Sequence, residues 1–158
     1  MNDAYWMKMA EDVAQYTSLD ESRKSGCVFV QPPDVVINGI PVSELMLTTG
    51  ANNFPPQVNR TPERLQRPAK YVFTEHAERT AIYTAAAMGV SLRGATAYVN
   101  WYPCAECARA LVLSGITRLV CYEPDWTETR YGFHDAKIIL DESHVQVDYV
   151  GQKQEKAK

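Results

Sequence analysis

Hydrophobic positions along the chain change their period several times, and each change marks an element. Over residues 2–16, Trp6, Met9, Ala10, Val13 and Tyr16 recur at roughly helical spacing. Asn2 or Asp3 can cap that run, so an amphipathic opening helix is predicted. Cys27 to Gln31 (CVFVQ) and Glu44 to Thr49 (ELMLTT) have the composition of short strands, and Asn38-Gly39 between them is a hairpin-turn signal. Seven of the nine prolines lie between Pro32 and Pro68. They forbid a long helix there and predict a loop-rich segment of the kind that carries binding groups.

From Thr74 the pattern becomes helical. TEHAERTAIYTAAAMG is alanine-rich and stops at Gly89. ATAYVN (95–100) is a strand, and Pro103 opens a second helix, CAECARALVLSG, that ends at Gly115. RLVCY (118–122) is another strand, YGFHDAKIILDES (131–143) a third helix, and VQVDYV (145–150) a last strand with period-two alternation. Strands alternating with helices predict an α/β fold, with a mainly parallel sheet covered on both faces and one antiparallel hairpin at its start. A single domain is expected over residues 1–150, with a disordered tail over 151–158.

Composition narrows the function. At 158 residues, with 46% hydrophobic and 22% charged positions, the chain resembles an ordinary globular domain long enough to bury a core. A net charge of −3 provides no broad cationic field, so a polynucleotide partner is not expected. No stretch approaches the roughly 20 apolar residues of a membrane span, and the N-terminus lacks a signal-type run, so the expected location is cytoplasmic. In a reducing compartment, Cys27, Cys104, Cys107 and Cys121 point to metal or redox chemistry before disulfides.

His76-Ala77-Glu78 and, 28 positions after His76, Cys104-Ala105-Glu106-Cys107 each lie at the start of a predicted helix. The strand between them lets the two helices lie side by side on one face of the sheet. Cys104 and Cys107, three apart, face the same way in a first turn, where the helix N-terminus favours thiolates. Two thiolates and one imidazole suit zinc and not magnesium or calcium. Three protein ligands leave a fourth position for water, which zinc activates, and Glu78 is spaced to move its protons. A closed structural site with Cys27 or Cys121 as fourth ligand uses the same residues. Both of those cysteines sit in apolar strand runs, where cysteine behaves as a small buried hydrophobe, and this favours the open site. His-x-Glu followed by Pro-Cys-x-x-Cys is the signature of zinc nucleobase deaminases. In these enzymes hydroxide attacks C4 of cytosine and the glutamate relays a proton to N3 and then to the departing amine.

The sequence resembles the deoxycytidylate (dCMP) deaminase family of the zinc-dependent cytidine deaminase superfamily. YPCAECARALVLSGI looks like that family's PCxECAK-type zinc helix, HAERTAI like its HAExNAI helix, TGANNFP like its TGYNGxP loop, and SRKSGCVFV like its RRxVGAVIV first-strand segment. The likeness runs from about Ser22 to Val150 and is densest from Thr49 to Val120. It implies a three-layer α/β/α cytidine-deaminase-like fold on a five-stranded, mixed but mostly parallel sheet. It implies one zinc ion per subunit on His76, Cys104 and Cys107, with Glu78 as the catalytic proton shuttle. It also implies that Asn52 holds the sugar, that Ala77 offers its backbone N–H to the base carbonyl, that Arg23 meets a 5′-phosphate, and that Trp126 closes over the substrate. A solvated surface charge is the competing reading for Arg23, and core or interface packing for Trp126.

The implied activity is hydrolysis of dCMP to dUMP and ammonia by a homo-oligomer acting on a small nucleotide. The rivals are a deaminase of another small heterocycle, a tRNA adenosine deaminase, which the net charge disfavours, and a zinc-stabilised binding module. Thr80, Ala51 and Asn53 depart from the family pattern, as does the segment Pro55 to Tyr71. That segment places Arg60, Arg64, Arg67 and Lys70 against a single Glu63, making it a candidate phosphate-binding or subunit-contact loop.

Overall fold

A computed structural model describes residues 2–31, 36–41 and 44–152. Helix α1 (Asp3–Thr17) leads into strand β1 (Gly26–Val30), a hairpin of β2 (Val36–Ile37) and β3 (Ile40–Pro41), and strand β4 (Met46–Ala51). A one-turn helix α2 (Lys70–Phe73) precedes α3 (Ala77–Met88), β5 (Thr96–Val99), α4 (Ala105–Leu113), β6 (Arg118–Glu123), α5 (Phe133–Glu142) and β7 (Gln146–Gln152). The large sheet has the order β4-β1-β5-β6-β7. Strand β1 is antiparallel to both neighbours, while β5, β6 and β7 run parallel. The β2–β3 turn has Asn38 and Gly39 both at positive φ, as the hairpin signal predicts.

Alternation along the strands sorts the core into two layers. Cys27, Phe29, Ala97, Val99, Leu119 and Cys121 face helices α3, α4 and α5, meeting Ala81, Leu111 and Leu140 among others. Val28, Val30, Tyr98 and Val120 face the other way, onto Trp6, Met7 and Ala10 of α1. Asn2 caps α1 by accepting the Tyr5 N–H at 3.1 Å. Asp3 is instead taken by Arg118 and the Tyr98 hydroxyl. The buried stripe of α1 is Trp6, Met7, Ala10 and Ala14, whereas Tyr16, expected on that stripe, is exposed.

Two glycines set how closely helices approach the sheet. A Cβ on Gly26 would lie 2.2 Å from the Ala10 carbonyl oxygen, and one on Gly50 would lie 2.4 Å from both the Ala77 oxygen and the Ala81 nitrogen. Backbone therefore touches backbone on both faces, and Gly50 fixes where α3 begins. That helix starts three residues later than the pattern predicts because Glu75 is extended. Its N–H donates to the Asn53 oxygen at 2.8 Å and its oxygen accepts the Asn53 N–H at 3.2 Å. Residues 54–74 thus form an excursion whose two ends are pinned together. At the far terminus, Gly151 and Gln152, expected in the tail, extend β7; residues 153–158 of that tail lie outside the described residues. No helix among the described residues is long and apolar enough to cross a membrane.

Candidate active site

His76 is the N-cap of α3 and Cys104 the N-cap of α4, with Cys107 in the first turn of the latter; Pro103 sits just outside. The two cap side chains turn toward each other. His76 Nδ1 lies 3.5 Å from Cys104 Sγ and 3.4 Å from Cys107 Sγ. Tetrahedral zinc, with Zn–S near 2.3 Å and Zn–N near 2.0–2.1 Å, sets sulfur and nitrogen about 3.5 Å apart. The donors present fit that ion in kind and in spacing. Among the described residues they form the one group of this type. Cys27 and Cys121, buried in β1 and β6, are not part of it, so a closed site completed by either is not what the fold assembles.

Hydrogen bonds to Cys104, first from the Cys107 thiol and then from His76, hold its own thiol down at about 4. The same contacts raise the Cys107 thiol and the His76 imidazole. Glu78, in the first turn of α3, is 4% exposed. Burial pushes its carboxyl above the ordinary range, against the opposing pull of His76. A bridge joins the two helix ends. Glu75 Oε1 accepts the His76 N–H at 2.8 Å and Arg79 Nε–H at 2.7 Å, while Arg79 Nη1 donates to Glu106 Oε2 at 2.6 Å.

His76, Glu78 and Cys104 open on a cavity of about 260 Å³. Asn52 and Arg23 line it too. Asn52, directly after β4, is buried and donates from Nδ2 to the Arg23 carbonyl at 3.2 Å. The Arg23 guanidinium carbon lies over the ring of Trp101, 4.0 Å from its centroid, and over that of Tyr131, 4.3 Å from its centroid. It is therefore not a solvated surface charge. Ala77 is the first residue of α3 and wholly buried, behind the lining; its N–H is one of the first-turn donors that a helix leaves without an internal partner.

Trp126 is not among the residues that line the cavity and packs against the core, in keeping with the packing alternative. Its ring stands edge-on to Tyr102 at 5.5 Å and its Nε1–H donates to Glu123. Tyr102 takes the lining position in front of it.

The basic segment divides. Arg67 and Lys70 reach the cavity, whereas Arg64 lies over Phe73 at 4.4 Å and Arg60 stays away. Sequence reasoning missed the walls formed by Trp101, Tyr102 and Tyr131 and the partnership of Lys70 with Asp20. The available signal was weak: two of those aromatics directly precede Pro103-Cys104.

Residues 1–123 match the protein family described as the cytidine and deoxycytidylate deaminase zinc-binding region. The deoxycytidylate deaminase of Enterobacteria phage T4 is 41% identical over 78 residues, covering 49% of this chain and 38% of that protein, so the match spans well under half of the phage enzyme's length. An uncharacterized deaminase in the luxG 3′ region of Aliivibrio fischeri is 30% identical over 123 residues, 78% of this chain and 72% of that one. The crystal structure of a dCMP deaminase from the cyanophage S-TIM5, in complex with dCMP and dUMP, has the same fold, with a TM-score of 0.69 over 93% of this chain and 95% of that chain at 22% identity.

Proposed function

The chain belongs to the cytidine and deoxycytidylate deaminase zinc-binding family, and from that premise we propose that it hydrolyses the 4-amino group of a cytosine nucleotide, dCMP first, to give the uracil nucleotide and ammonia. The observation that carries this reading is the triangle of His76, Cys104 and Cys107 beside the buried Glu78, opening on the cavity. Zinc held by those three donors supplies Lewis acidity, lowering the pKa of water toward about 7. Glu78 takes a proton from the attacking water as its oxygen bonds to C4, and delivers that proton to N3. It then carries the remaining hydroxyl proton to the amino nitrogen, the C4–N bond breaks, and ammonia leaves. Burial suits Glu78 to both tasks, because a carboxyl raised above its ordinary range holds a proton more firmly once it has taken it.

In this reading Asn52 holds a sugar hydroxyl and Arg23 presents its fork of N–H groups to a phosphate, both lining the cavity, while the Ala77 N–H, at the start of α3 behind that lining, meets the base carbonyl. Free thiols at the site suit a reducing compartment, the cytoplasm in this reading. Assembly into a homo-oligomer belongs to it as well. Exposed Tyr83, Leu113 and Ile138 on α3, α4 and α5 supply apolar surface for contacts between copies. The test is an ammonia-release panel over cytidine, CMP, dCMP and dCTP, with adenosine and guanine as controls, in the presence of zinc. Turnover that requires a phosphorylated cytosine substrate is expected. Equal turnover of free cytidine, or release from adenosine alone, overturns the assignment.

A further inference from the structure

On the side lined by Asp20, Arg67 and Lys70, the cavity backs onto a second hollow of about 410 Å³, bounded otherwise by residues such as Leu19, Glu21, Leu65 and Gln66. The same three residues line both spaces, so they are the wall between them. Lys70 Nζ donates to Asp20 Oδ1 at 3.0 Å, to Asp20 Oδ2 at 2.8 Å and to Ser22 Oγ at 2.6 Å. An ammonium has three N–H donors, and all three are engaged. Asp20 Oδ1 also accepts from the Ser22 hydroxyl at 2.7 Å and from the backbone N–H groups of Ser22 and Arg23 at 3.0 and 3.3 Å. The two side chains are only 9% and 12% exposed. Within that wall the Asp20–Lys70 pair is neutral and internally satisfied, and it has no donor left for an anion, whereas Arg67 beside it does.

Arg23 and Arg67 differ. Neither guanidinium has a carboxylate within ion-pair distance among the described residues, and Arg23 is held rigid by its two flanking rings. Two unpaired cations match the charge of about −1.5 to −2 on one phosphate monoester. With Arg23 and Arg67 taken up by the first phosphate, a second or third would meet the Asp20–Lys70 pair, whose donors are all engaged, and displacing that pair means breaking a buried ion pair.

We propose that the Asp20–Lys70 pair is the specificity-determining partition of this cavity, ending the anion space after one phosphate so that a nucleoside monophosphate is accepted and the triphosphate is refused. The proposal rests on the nucleotide reading above, and its test separates the two. Calorimetry with the unreactive product series dUMP, dUDP and dUTP on the zinc-loaded wild-type protein is expected to show monophosphate binding at least about 100-fold tighter than triphosphate. In an Asp20→Ala/Lys70→Ala double variant, which strands neither charge, that ratio is expected to fall to about tenfold or less.

Equal affinities in the wild type, binding of none of the series, or an unchanged ratio in a folded double variant overturns the partition. Should the double variant fail to fold, the wild-type ratio still decides. Ammonia release from the matching cytosine nucleotides is read in parallel. Discrimination without any release sustains the partition and overturns the deaminase reading, whereas equal release from dCMP and dCTP does the reverse.

Discussion

The two sides of the cavity are built on different plans. On the metal side every donor comes from a helix N-terminus and from two short stretches, 76–78 and 104–107, so local backbone geometry places them. On the anion side Asp20, Arg23, Lys70, Trp101 and Tyr131 arrive from separate loops and a one-turn helix. Both sides are braced by ion pairs, but unequally. Arg79 and Glu106 are 21% and 60% exposed, whereas Lys70 and Asp20 are nearly dry. Water screens the first bridge and not the second. In the proposed reading, the chemistry of this site follows from spacing along the chain, and its selectivity from the way distant segments meet.

That contrast can be broken on either side. His76→Ala is the most severe change: zinc content measured by atomic absorption falls to nothing and ammonia release stops, while dUMP binding on the anion side survives. Glu78→Gln is expected to keep the zinc and lower kcat by about 10²–10⁴-fold, and full activity in that variant would sink the proton-shuttle role.

Lys70→Met strands a buried carboxylate and should lower the unfolding free energy by about 3–5 kcal/mol in urea titrations, with zinc content unchanged. The pH dependence has a definite sign. Burial pushes the Asp20 carboxyl up, but Lys70 and Ser22 hold it below its ordinary value on balance. In the wild type the stabilisation is whole above the unfolded carboxyl pKa of about 3.9, and it is lost as pH falls through the lower folded-state value. The stability gap between wild type and Lys70→Met should accordingly close in acid.

Arg79→Gln, on the better-hydrated bridge, should weaken zinc binding by about 10–100-fold in chelator competition, with activity restored by excess zinc. Unchanged affinity would mean that the bridge does not position the ligands. The smallest effect is expected for Trp126→Phe, which sits behind Tyr102 and should leave KM for the nucleotide unaltered.

The same contrast explains what could be read before any coordinates. The His76 and Cys104 motifs were legible because each lies within one turn of a helix start, with Glu78 two residues after His76 and Cys107 three after Cys104, so local geometry fixes their directions. The sheet was legible because CVFV, ATAYV and RLVCY carry strand composition and lie between strong helices. Lys70 and Asp20 are 50 residues apart, and no period or motif links them. The slot around Arg23 needs rings from positions 101 and 131, which only the assembled fold brings to position 23. The two readings of Trp126 could not be separated by sequence for a related reason: position along the chain does not say which of several clustered aromatics, here Trp126, Tyr102 and Phe133, lines the cavity.

The pinning of Asn53 to Glu75 has an engineering consequence. Asn52 lies immediately before the pinned pair and His76 immediately after it, so both are anchored whatever happens in between. Closure of the excursion is already enforced by the bridge, and doubling the length of a flexible loop adds only about 0.6 kcal/mol. Residues 54–74 are therefore open to exchange provided Lys70 is kept for Asp20; among the described contacts they supply Arg67 and Lys70 to the cavity but none of His76, Glu78, Cys104 and Cys107. Grafting a different segment there, with Lys70 retained, is expected to change the cavity lining while His76, Glu78, Cys104 and Cys107 stay where they are.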